Sequence, residues 1–172
     1  SIADLLRGEF KQYDFGKVIL PFTVLRRLDC VLEPSKEKVL ARHASMQGGD
    51  LKNLDPVLNR LTGVHFHNVS KLDFRRLLDD PNHLAANLLA YIKGFSENVR
   101  EIFLERFKLP EQIAKLDEAN LLFLVVKRFA EVDLHPEVVP NHMMGSIFED
   151  LIRRFAEQSN ETAGEHFTPR EV

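Results

Sequence analysis

The residues most able to do chemistry sit at the C-terminal end, in Thr168-Pro169-Arg170-Glu171. Thr168 is a good N-cap and Pro169 suits a first helical position. Glu171 stands three residues after Thr168 and completes a capping box. A lone helical turn fixes several residues for one hydrogen bond and is not stable by itself. The expectation is therefore that the natural sequence continues beyond Val172. The competing reading is a terminal tail that carries these residues by chance.

Elsewhere the reactive types are sparser. Lys17, Arg26 and Arg27 fall in one stretch and Arg75 and Arg76 in another, positions from which cations can meet phosphate. Arginines on a helix are more often held in ion pairs, here with Asp29 or Glu33. The net charge of −3 gives no global attraction to a polyanion, so any such contact is local or belongs to a larger assembly. His65 and His67 share one side of an extended stretch, but nothing nearby completes a recognisable metal set, and no metal is expected. The single Cys30 excludes an internal disulfide and a Cys-rich zinc site, and its apolar setting reads as a buried thiol.

The elements that must position these groups are helical. Val18, Phe22, Leu25, Leu28 and Leu32 recur at spacings of three and four, widened by Leu20, Val24 and Val31, with Pro21 near the start of that helix. Pro34 ends it or opens the next helix, Ser35 to about Ala44, and Gly48-Gly49 breaks the pattern. Asp55-Pro56 caps a short helix through Leu61, and Thr62 to Ser70 reads as a loop or short strand. One or two turns follow at Leu72 to Leu78. Asp80-Pro81 caps a helix with the stripe Leu84, Leu88 and Ile92, closed by Gly94. Ser96 caps the next, with Val99, Phe103 and Phe107, and Pro110 opens a short piece. Asp117 caps a long helix carrying Leu122, Val125, Phe129 and Val132, whose apolar face reads as core. After a loop from Asp133 to Val139, Asn141 caps a helix with Met144, Ile147 or Phe148, Leu151 and Phe155. Glu149–Arg153 and Asp150–Arg154 are i,i+4 pairs on its other face. The polar, small-residue run Glu157 to Glu165 reads as a loop and a domain junction. No window of this sequence is a membrane span and no signal peptide opens it, which fits a cytoplasmic chain. The expected fold class is all-α, a helical domain over 1–139, followed at 140–172 by a helix and a junction.

Met144-Gly145-Ser146-Ile147-Phe148-Glu149-Asp150-Leu151-Ile152-Arg153-Arg154-Phe155-Ala156-Glu157, with Ser159-Asn160-Glu161-Thr162-Ala163-Gly164-Glu165-His166-Phe167-Thr168-Pro169-Arg170-Glu171-Val172, closely resembles the start of the methyltransferase region in type I restriction–modification M subunits, the HsdM family. Val18-Ile19-Leu20-Pro21-Phe22-Thr23-Val24-Leu25-Arg26-Arg27-Leu28-Asp29 and Gly94-Phe95-Ser96-Glu97-Asn98-Val99-Arg100 resemble that family's N-terminal helical domain. The resemblance covers most of the chain, and its last motif is the most specific part.

The resemblance implies methyl transfer from S-adenosyl-L-methionine to adenine N6 in DNA by the complete subunit. It implies partners too: a second M subunit, a specificity subunit that reads the sequence, a restriction subunit, and double-stranded DNA held by the assembled complex. The catalytic domain would be a doubly wound α/β fold. Its Gly-rich cofactor loop and its Asn-Pro-Pro-Phe-type motif do not occur in these 172 residues, so no catalytic residue is expected here. Glu165, His166, Phe167, Thr168, Pro169 and Arg170 are implied to lie near the methionine end of the cofactor. A helix N-terminus there would offer free amides and partial positive charge to its carboxylate. As one wall of a pocket, they are not expected to bind the cofactor alone. A free-standing helical interaction module without an enzymatic parent is the reading from another class. A related adenine methyltransferase lacking a restriction partner is the variant within the enzyme class.

Overall fold

The computed structural model describes the backbone of residues 15–49 and 52–166, and the side chains of 16–49 and 52–153. The described chain is all-α. Helix α1 is Phe15–Leu32, followed through the 3₁₀ turn Glu33–Ser35 by α2, Lys36–Ser45. Helices α3 (Asp55–Thr62), α4 (Phe74–Leu77), α5 (Leu84–Lys93) and α6 (Glu97–Glu101) come next. A π-helical turn, Ile102–Arg106, then leads to α7 (Leu109–Glu118), α8 (Leu122–Ala130) and α9 (Asn141–His166). Among the described residues there is no strand, only an isolated bridge between Asn68 and Phe95. None of their helices is long and apolar enough to cross a membrane.

α1 is the axis of the packing. Its stripe of Val18, Phe22, Leu25 and Leu32 is buried, as the three-and-four spacing requires, and α7, α8 and α9 pack against it. Phe22 stacks on Phe129 of α8 with ring centroids 5.6 Å apart. A second aromatic row runs Phe74, Tyr91, Phe95, Phe103, Phe107 through the middle of the core. Aromatic rings each bury a large area and pair edge to face, so this row joins α4, α5 and the π turn without needing long helices.

Several local expectations give way to tertiary contacts. Pro21 lies inside α1 rather than near its start. The bond it denies to the preceding turn is tolerated because that stretch is clamped on its buried face. The Thr23 hydroxyl donates to the Ile19 carbonyl at 2.6 Å, a back-bond that eases such a bend. Asp117 does not cap a helix: it belongs to the last turn of α7, and α8 starts after Asn120, whose φ of 60° makes the corner. Val99, Phe103 and Phe107 do not share one α-helix, because the wide turn Phe107 N to Ile102 O (2.9 Å) interrupts it. Asp80, Ser96 and Asn141 stand at helix starts, yet none caps through its side chain. Asp80 accepts from His83 Nδ1 at 3.0 Å and Ser96 Oγ donates to Asn98 Oδ1 at 2.8 Å. Asn141 Oδ1 accepts from Arg27 at 2.8 Å. A side-chain cap does form at Asp73, which accepts from Arg76 N at 2.8 Å.

The run Glu157 to Glu165 is helical, not a loop: α9 continues to His166. Helix propagation adds one hydrogen bond for each residue fixed, so a helix nucleated on Met144, Ile147, Phe148 and Leu151 extends into polar sequence. On its outer face Arg153 pairs with Asp150, one turn back, instead of Glu149. Arg154 and Phe155 have side chains outside the described residues, as do the residues of the Thr168–Glu171 capping box.

Candidate functional site

The end of α1 forces charged groups inward. Its buried stripe is wide, so Arg26, Arg27 and Asp29 sit beside core side chains rather than on a free outer face. Asp29 is buried and accepts from Tyr91 Oη at 2.7 Å, from the Phe74 amide at 3.3 Å and from Arg26 Nη1 at 3.1 Å. Burial pushes the Asp29 carboxyl above its ordinary pKa, against the pull of the Tyr91 and Phe74 hydrogen bonds. Burial likewise drives the Tyr91 phenol far up, and the Asp29 carboxylate adds to it.

A cleft of about 560 Å³ opens over this network. It lies between the end of α1, the start of α2, and α4. Arg26, Lys36, Lys38, Arg75 and Arg76 contribute cations, and Asp29, Glu33, Glu37 and Asp73 contribute anions. Lys36 Nζ donates to the Ser70 carbonyl at 2.8 Å and lies 5.9 Å from the Tyr91 ring centre. Burial lowers its pKa. Arg76 is tied to Asp73 and to the Lys71 carbonyl, both at 3.2 Å. Arg75 and Lys38 are exposed. The rim can thus meet an anion through Arg75, Arg76 and Lys38, while Asp29 and Lys36 hold the floor.

The structure brings three of the sequence-predicted cations, Arg26, Arg75 and Arg76, onto this one cleft. It sends Arg27 elsewhere and leaves Lys17 exposed on the first turn of α1. Arg26 and Arg27 both have intrachain partners. Arg26 donates to the carbonyls of Val132 (2.9 Å) and Ala130 (3.1 Å) and stacks 5.5 Å from the Phe74 ring centre. Arg27, only 6% exposed, donates to the carbonyls of Leu134 (2.8 Å) and Val139 (2.6 Å). A guanidinium offers five donors in a fixed fork, which suits the bundling of loose carbonyls where a helix has ended. Together the two arginines fasten the end of α8, the connector 131–140 and the start of α9 to α1.

His65 and His67 part company: His65 is exposed, and His67 is buried against Asn59 Oδ1 at 2.8 Å. Glu165 and His166 form the end of α9, with side chains outside the described residues; Phe167, Thr168, Pro169 and Arg170 lie wholly outside them. Sequence reasoning named Asp29 as an ion-pair partner, which Arg26 bears out at 3.1 Å, but missed its burial, its Tyr91 donor and the place of Lys36 in the cleft. The signal was present in the acid at 29 inside an apolar stripe, since a buried carboxylate demands donors from elsewhere in the chain.

Comparison with known families matches residues 1–129 to the HsdM N-terminal domain and residues 139–172 to the N-6 DNA Methylase family. The second match covers only the beginning of that domain. No curated protein and no solved structure matches the chain. The longer match spans well over half the chain, and the join between the two falls in the connector that Arg27 holds. The chain therefore belongs to the HsdM N-terminal domain family, that of the modification subunits of type I restriction–modification systems.

Proposed function

We propose that this helical domain helps assemble a type I modification complex and close it on DNA, as the N-terminal part of a subunit that methylates adenine N6. The supporting observation is the order of the two family matches on one chain, with the methylase match beginning at the arginine-tethered connector. Family chemistry is methyl transfer from S-adenosyl-L-methionine. Glu165 through Arg170 are proposed to stand beside that cofactor once the rest of the catalytic domain surrounds them. The helical domain is assigned to 1–139, and 140–172 lead into the catalytic domain. The partners proposed are a second M subunit, the specificity subunit, a restriction subunit and double-stranded DNA, in the cytoplasm.

The test is co-purification of the complete modification subunit with a type I specificity subunit from the same source. A stable complex that transfers labelled methyl groups to adenine in a specific duplex is the expected result. Absence of both the complex and the methyl transfer overturns the reading and favours a free-standing interaction module. Within that complex, Arg75→Gln and Lys38→Gln should each weaken binding to all DNA sequences alike and flatten the salt dependence by roughly one unit of slope. An unchanged slope in both variants removes the cleft from the DNA footprint. The 172-residue chain by itself should show no calorimetric heat with S-adenosyl-L-methionine, and low-micromolar binding would contradict that expectation.

A further inference from the structure

Beside the cleft, whose lining includes Glu33 and Ala130, the connector brings two metal-ligating side chains back onto a buried thiol. Cys30 is fully buried on α1, while Asp133 and His135 lie on the connector just after α8. One ligand atom from each, the Cys30 sulfur, an Asp133 oxygen and a His135 ring nitrogen, lies within 4.8 Å of the other two. We propose that Cys30, Asp133 and His135 form a site for a divalent transition metal, with Zn²⁺ the ion that suits it best.

The donor set argues for zinc. A thiolate with an imidazole favours a borderline-soft ion, and a carboxylate completes three protein ligands, leaving the fourth tetrahedral position to water. The surroundings are those of a prepared site. His135 Nδ1 is hydrogen-bonded to Asp133 at 2.6 Å and Nε2 to Glu33 at 3.1 Å, so a metal at Nδ1 takes the place of the proton now held between that nitrogen and Asp133. A ligating histidine ordinarily gives its second N–H to a carboxylate, which fixes the ring and makes it a better ligand. The Cys30 sulfur accepts a hydrogen bond from the Leu134 backbone, which holds it against the connector. Leu134, Met144, Val139, Ile147 and Phe148 form a small apolar cluster with Cys30. The ligands thus stand at the boundary between a dry wall and the solvent reached by Asp133. Binding forms metal–sulfur, metal–nitrogen and metal–oxygen bonds and releases two protons, one from the Cys30 thiol and one from His135 Nδ1, while Nε2 keeps its proton on Glu33. The bound ion would cross-link α1 to the connector that precedes α9. This donor set is distinct from His65 and His67, which the structure separates.

The test uses the full chain, purified without a metal-binding tag and titrated with Co²⁺ alone, then with Zn²⁺ in competition. The expected result is a sulfur-to-cobalt charge-transfer band in the near ultraviolet, with visible bands of tetrahedral intensity, both displaced by Zn²⁺. Cys30→Ser should abolish the charge-transfer band. Because Cys30 is buried, the deciding variants are Asp133→Asn and His135→Gln on the connector, with folding verified by circular dichroism. Each should weaken Zn²⁺ binding at least roughly 10-fold, and Glu33→Gln should weaken it by a similar factor through the second nitrogen. Absence of a thiolate band with Co²⁺, or undiminished Zn²⁺ affinity in both folded connector variants, overturns the proposal.

Discussion

Single residues in this chain are held by groups that the local sequence does not announce. Tyr91 is the clearest case, because its hydroxyl supplies one of the donors to buried Asp29. Tyr91→Phe removes that donor and leaves the carboxylate underbonded, at a cost of about 1–3 kcal/mol in urea unfolding. His67 is the second case. Burial lowers its pKa below the ordinary histidine value, against an upward pull from Asp55 and with a further push from His43. The folded chain therefore binds fewer protons at this site than the unfolded chain does. That contribution is complete above pH about 6.5, the unfolded value, and is lost as the pH falls below it. Urea midpoints should drop on acidification through that range, and His67→Gln should flatten the pH-dependent part. An identical pH profile in the variant would show that another group is responsible. Gly94 is needed for space: a Cβ there would stand 2.6 Å from Asn68 Oδ1 and 2.9 Å from Ser70 Cβ. Gly94→Ala should cost about 1–3 kcal/mol of stability, with the bridge at Asn68–Phe95 loosening first in hydrogen exchange.

At the scale of elements, the join between the end of α8 and α9 is built from α1. Arg27 carries Leu134, Val139 and Asn141, and Arg26 carries Ala130 and Val132. Arg27→Met keeps much of the side chain's apolar stem but strands buried carbonyls, at about 1.5–3 kcal/mol for each charge-assisted bond that finds no substitute. Amide exchange across 133–140 should speed up in that variant while the amides of α5 and α7 stay protected. Equal acceleration everywhere would mean that the arginine supports the whole fold rather than the connector. Helix existence was readable for nearly every element here, because apolar spacing survives folding. Helix ends were read less well. Asp80, Ser96 and Asn141 have the chemistry of caps, but each finds a stronger or nearer partner in three dimensions.

At the largest scale, the described residues form one main helical core and a smaller apolar cluster, around Cys30 and Met144, where α9 departs. Phe22 and Phe103 are fully buried in the main core, and Phe22 is the ring through which α1 meets α8. Phe22→Ala should cost about 3–5 kcal/mol, close to the total stability of many domains, so loss of cooperative thermal unfolding is the expected readout. The candidate cleft is legible only in part from sequence. Arg75 and Arg76 announce themselves as paired cations, whereas Lys36 and Asp29 become cleft residues only because α2 and α4 fold over the end of α1.

By itself the sequence determined an all-α chain, the core face of α1, and membership of a family, because helical periodicity and a long terminal motif are local properties that survive any arrangement of the helices. Tertiary structure alone decided that Arg26 and Arg27 serve carbonyls of the connector instead of facing outward, and that Cys30 meets His135 across more than a hundred residues of chain. Those outcomes depend on which end of α1 the connector crosses. No spacing along the chain encodes that crossing, since it is set by the packing of helices that lie far apart in sequence.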